Sequence, residues 1–282
     1  DVLLKAILFF HAKDQEGLKY RTANFTDEIM DSIKTKWDNK IVNTLKVTQD
    51  LLSSRFLLTN EKLITSYNAL IPIAYFIYKY NITNIGEDKN NINNDIQSQM
   101  RDWLITSMLT GVFGGQSDGI LYKAKKAIDE SSKVDYFPSK ELFEKFNEAK
   151  PALTLKVTED LISDVSYNSK ESYLVLSLLY NHSINFTPRS DKNYPEQDHI
   201  VCKHELKAAK IPEEKINSIY NIRYVTMADN RTKSDEPFND WAKRLGDQVL
   251  DNHFIPHGNW DASNFDKFLK ERKALFLKEI GI

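Results

Sequence analysis

The 282-residue chain has one cysteine, Cys202, so no internal disulfide can form, and that fits a reducing cytoplasm. Glycine (9) and proline (8) are both scarce, which leaves few turn-makers and argues against an all-β sandwich. Charge of one sign is also missing. The 38 basic side chains face 40 acidic ones, a net of -2, so bulk electrostatic grip on nucleic acid is excluded and any such contact must be local. Long apolar runs are absent as well. The strongest, from Ala69 to Tyr80, contains Pro72 and is too short to span a bilayer. The start, Asp-Val-Leu-Leu-Lys, has no basic leader and reads as an amphipathic helix cut from a longer chain rather than as a signal peptide.

What remains, at 41% hydrophobic and 28% charged, is a globular, mainly helical protein. Between Thr26 and Ser53 the residues Ile29, Ile33, Trp37, Ile41, Leu45 and Leu52 recur at helical multiples and predict one long helix behind a Thr26 cap. Further helices are expected over Ala69–Lys79, Asp95–Leu109, Asp118–Glu130, Ser139–Ala149 and Lys170–Tyr180, with Asn84–Asn94 as a loop. The segment 44–53 returns almost unchanged as 154–163, which we read as coincidence because the flanks do not align. A polar, proline-bearing stretch at 186–195 marks the expected boundary between a helical domain, 1–188, and a smaller one, 189–282. In the second, short strands are expected at 197–201 and 222–226, then a helix from Met227, and an amphipathic helix at 263–280 closes the chain.

The chemistry-bearing residues lie in that strand, loop, strand, helix order. Asp198-His199 heads the first strand, Asn221 opens the second, and Asn230-Arg-Thr-Lys233 begins the helix. A carboxylate, an imidazole and a carboxamide around one point suit hydrolysis of a phosphodiester with a bound divalent cation, which needs hard oxygen ligands, a base and positive charge. Either residue type alone is common by chance, and the ordered set carries the information.

At these residues the sequence resembles the HNH nuclease signature, a ββα-metal finger. It looks more narrowly like the C-terminal half of GmrSD-type proteins, which join a ParB-like NTPase domain to an HNH nuclease and include modification-dependent restriction and anti-phage enzymes. The resembling stretches are Tyr194-Pro-Glu-Gln-Asp-His-Ile200, Asn221-Ile-Arg-Tyr-Val-Thr226, Asn230-Arg-Thr-Lys-Ser-Asp235 with Trp241, and 265–272, with helical segments 63–73 and 103–113 upstream. The resemblance implies Asp198 and Asn230 as ligands of Mg²⁺ or Mn²⁺, His199 as general base, Asn221 as the residue that holds the hairpin and orients the imidazole, and Lys233 facing a phosphate. It implies DNA as substrate and a missing N-terminal NTPase half as partner, with no membrane association; a homo-oligomer stays open. No Cys-x-x-Cys knuckle is present, so structural zinc is not expected. Arg231, Lys243 and Arg244 are candidate contacts to nucleic acid, equally readable as a solvated face. The competing expectation is a catalytically inactive DNA-binding or regulatory module with a degenerate finger.

Overall fold

A computed structural model describes residues 2–12, 19–56, 58, 61–86, 92–115, 117–131, 135–150, 155–180 and 196–282. The chain divides into two compact units, Asp1–Leu58 with Ile64–Lys156 and Thr59–Leu63 with Val157–Ile282. No described helix is long and apolar enough to cross a membrane.

The first unit is helical: α1 (Val2–His11), α2 (Asp27–Lys36), α3 (Val42–Asp50), α4 (Leu70–Lys79), α5 (Asn94–Leu109), α6 (Ser117–Glu130) and α7 (Ser139–Ala149). Thr26 caps α2 through the Ile29 amide, and Asn93 caps α5 through Ile96. Pro72 falls in the first turn of α4, where its missing N–H costs nothing. The long helix expected from Thr26 forms but is interrupted by π-turns at Trp37–Ile41 and Leu51–Arg55. Each inserts a residue into a turn and rotates the buried face. Trp37 is therefore 41% exposed, against the expected stripe, while Ile41, Thr44, Val47, Thr48 and Leu51 are buried. Packed aromatic rings, Trp103 with Phe113, Phe137 and Phe146, fill the core between α5 and α7. The buried Lys125 ammonium donates to the carbonyls of Phe9 and Ala12 at 2.8 and 2.7 Å, which satisfies two carbonyls at the buried C-terminal end of α1.

The second unit contains α8 (Glu159–Ser163), α9 (Lys170–Leu179), β1 (Glu196–His199), α10 (Lys203–Ala208), α11 (Glu213–Ile216), β2 (Ile222–Val225), α12 (Met227–Lys233), α13 (Phe238–Leu245), α14 (Asp247–Asn252) and α15 (Phe265–Ile280). β1 and β2 pair antiparallel, Asp198 opposite Arg223 and His199 opposite Ile222. α12 follows β2 directly, capped by Thr226, and rests against β1. Ile200, Leu206, Phe238, Trp241, Trp260, Phe265 and Phe268 form the core beneath.

The expected boundary near 188 falls 32 residues after Lys156, the last residue of the first unit. α9 explains the difference: Ser172 bonds the Gln197 side chain, and Tyr224 donates its hydroxyl to the Tyr173 carbonyl, so α9 belongs with the strands. The stretch 186–195 lies outside the described residues. The near-repeat also diverges. Residues 44–53 are wholly helical, whereas among the described residues of the second copy, 155–163, Thr158 acts as an N-cap and the helix covers Glu159–Ser163, so tertiary context overrides local propensity.

Removing the fully buried Phe268 ring as Phe268→Ala should cost about 3–5 kcal/mol, read as a lowered urea midpoint for the second unit. An unchanged midpoint would contradict this packing.

Candidate active site on the two-stranded sheet

Successive residues of a strand face opposite sides, and β1 is ordered by that rule. Glu196 and Asp198 share one face with Arg223 and Val225, while Gln197 and His199 share the other with Ile222 and Tyr224. Each face makes its own contacts.

On the first face Asp198 is buried, and both its oxygens are taken. Arg223 Nε donates to Oδ2 at 2.9 Å and Lys233 Nζ to Oδ1 at 3.0 Å. Lys233 Nζ also donates to the His199 carbonyl, so one ammonium ties α12 to β1 twice. The Arg223 guanidinium lies 4.0 Å from the Trp241 ring centroid, a cation–π contact that fixes its plane. Burial pushes the Lys233 ammonium below its ordinary pKa, and Asp198 opposes that shift. Three residues before Lys233 on the same helical face, Asn230 donates Nδ2 to Glu196 Oε2 at 2.7 Å. Glu196 was not among the residues that sequence reasoning singled out; its place two residues before Asp198 was the available signal.

On the second face His199 is 9% exposed, 4.5 Å from the Tyr167 ring, and hydrogen-bonded through Nε2 to Asn217 Oδ1 at 3.0 Å. An amide oxygen only accepts, so Nε2 carries the proton and Nδ1 keeps the lone pair. Burial lowers the imidazole pKa, with Lys203 adding to the effect and the Asn217 bond opposing it, so the ring is neutral at pH 7. Asn221 is fully buried: Oδ1 accepts from the Val201 amide at 3.0 Å and Nδ2 donates to the Ile216 carbonyl at 3.0 Å. These bonds join two points of the connection between β1 and β2. The Asn221 side chain is spent there, with no described contact to the imidazole that it was also expected to orient.

Among the described residues, Asp198, His199, Asn221 and Asn230 share no side-chain hydrogen bond. Asp198 and Lys233 are brought into direct contact; Asn230 joins Glu196 instead. Arg231 and Lys243 are exposed, and Arg244 pairs with Glu236 at 2.5 Å.

A divalent cation needs oxygens free of competing charge. An ion on the Asp198 carboxylate would lie within about 5 Å of two fixed cations. At an effective dielectric near 20, unit charges about 4 Å apart interact by about 4 kcal/mol, and a divalent ion doubles that repulsion. As arranged, Asp198 is an ion-pair partner rather than an open ligand. Glu196 and Asn230 are partly exposed hard-oxygen donors that form no ion pair among the described residues, and they fit such an ion in chemistry. No group of three His, Cys, Asp or Glu side chains suited to a metal occurs among the described residues. No family model and no curated protein matches the chain.

Asp198→Asn would leave Arg223 and Lys233 buried without a counter-charge and should cost about 3–5 kcal/mol of stability by denaturant unfolding. His253, bonded to Tyr180, has its pKa pushed down by burial and by Arg223 and Arg272 to about 2. Its folded pKa, like that of His199, lies below the unfolded value of about 6.5, so the unfolded chain binds more protons below that pH. Stability of the second unit should be full above about pH 6.5 and fall as acid is added, and His253→Phe should flatten that dependence. A stability that rises on acidification would contradict it.

Proposed function

We propose that the second unit is an HNH-type finger that hydrolyses phosphodiester bonds of DNA with Mg²⁺ or Mn²⁺. The observation that carries the reading is the strand, strand, helix order, in which one ammonium, Lys233, joins the helix to the strand that bears Asp198 and His199.

His199 supports the base role because it is neutral at pH 7 and its tautomer is set by Asn217, leaving Nδ1 able to accept a proton from water. Asn221 keeps the imidazole at the end of β1 by holding the turn that follows. Glu196 and Asn230 would hold the divalent ion, which supplies Lewis acidity and charge for the developing phosphorane. Lys233 would turn its third N–H toward a phosphate oxygen while keeping its Asp198 and His199 contacts. Arg231 and Lys243 would meet the flanking backbone, and restriction or anti-phage defence alongside an NTPase half is the setting that the resemblance suggests.

A second reading is favoured by one specific observation: Asp198 is closed by two cations, and His199 faces away from Glu196 and Asn230. On that reading the finger binds DNA without cutting it.

Plasmid DNA incubated with Mg²⁺ or Mn²⁺ separates the two. His199→Ala should reduce nicking by about 10²–10⁴-fold with the fold retained by circular dichroism. Nicking undiminished in the variant removes the base assignment, and plasmid bound but uncut by the unaltered protein supports the binding module.

A further inference from the structure

We propose that a cavity of about 240 Å³ beside β2, α12 and α13, reached by the Arg223 guanidinium, binds a phosphate group. Arg223 is 2% exposed, yet it lines this cavity. Its Nε is committed to Asp198, and among the described residues neither Nη group has a hydrogen-bond partner. The Trp241 ring, also in the cavity wall, holds the guanidinium plane in place, so the two Nη donors form a fixed fork of the kind that matches phosphate oxygens.

The charge balance of the unit points the same way. Its buried charged side chains among the described residues are Asp198, Arg223, Lys233 and Arg272: three cations against one carboxylate. Asp198 can neutralise one. Uncompensated buried charge is costly, and an anion in contact with Arg223 relieves it. The His253 ring in the same wall is kept neutral first by its burial, with Arg223 and Arg272 adding to that effect.

The other groups around the cavity are consistent with this occupant. Arg244 lines it and is 42% exposed, so its guanidinium can turn from Glu236 toward an entering anion. Thr232 donates its hydroxyl to the Ala228 carbonyl at 2.9 Å and lines the wall without offering a free donor. The one lining carboxylate, Asp229, is tied to the Thr226 hydroxyl at 2.7 Å as part of the α12 cap. The volume lies below the roughly 300–1,000 Å³ of pockets for drug-sized molecules, which suits a phosphate group better than a whole nucleotide. Two sources share this chemistry, inorganic phosphate and a phosphodiester of a nucleic-acid backbone. The second source rests on the phosphodiesterase reading above; the preference for an anion does not.

Inorganic phosphate titrated calorimetrically into the full chain, at ionic strength matched with chloride, tests the site. Saturable binding is expected, weakened roughly tenfold or more in Arg223→Gln and Arg223→Lys, because both lose the fork. Arg223→Lys keeps a cation for Asp198, and exposed Arg244→Ala spares the core, so a misfolded Arg223→Gln leaves two readable variants. Arg244→Ala should weaken binding severalfold. Loss of phosphate binding when a short DNA oligonucleotide is present identifies the backbone as the source, whereas phosphate binding indifferent to the oligonucleotide identifies free phosphate. His199→Ala should bind phosphate normally whatever it does to cleavage, so failure of the nuclease reading is told apart from failure of this one. No saturable phosphate binding, or equal binding by the unaltered chain, Arg223→Lys and Arg244→Ala, overturns the proposal.

Discussion

The second unit depends on one buried carboxylate. Asp198 accepts from Arg223 of β2 and Lys233 of α12 while belonging to β1, so a single side chain cross-links all three elements of the small sheet and its helix. Four short residues of pairing cannot hold a two-stranded ribbon on their own. Desolvating these charges costs several kcal/mol each, and their mutual attraction offsets it only while all three keep their geometry. The same arrangement decides what remains open for chemistry. With Asp198 enclosed, the half-buried Glu196 and Asn230, bonded to each other, are the site side chains of that face with partial access to solvent among the described residues.

Alternation along β1 divides the labour. One face carries charge, Glu196 and Asp198 with Arg223 and Lys233, and the neutral Asn230 amide bonded to Glu196; the other carries hydrogen-bonded and aromatic packing, with His199 lodged between Asn217 and Tyr167. Residues adjacent in sequence thus meet different surroundings, one charged and paired, the other neutral and fixed in a single tautomer. Lys233 is the bridge, reaching the Asp198 carboxylate and the His199 carbonyl together.

Much of this was legible beforehand and some was not. Helix positions followed from periodicity and caps: α5, α6, α7 and α9 lie where the apolar spacing puts them, and Thr26 caps as its side chain suggests. The face of the long second helix was not legible, because π-turns obey tertiary packing and leave no period in the sequence; Trp37 shows the result. The extent of the second unit was hidden for a related reason. The contacts of Ser172 and Tyr173 to the sheet are long-range and have no local signature. At the site, the order of Asp198, His199, Asn221, Asn230 and Lys233 was readable. That Arg223 would claim Asp198 was not, since cross-strand register is set by pairing rather than by spacing.

The central claim is that the charged face of β1, with Asp198 already balanced, offers Glu196 and Asn230 to a divalent ion beside Lys233. Anomalous diffraction from crystals of the full chain grown with Mn²⁺ and a DNA oligonucleotide tests it most directly. The account predicts a metal peak bounded by the Glu196 carboxylate and the Asn230 carboxamide, with a backbone phosphate near Lys233. A peak elsewhere on the chain, or DNA seated away from this face, would contradict it.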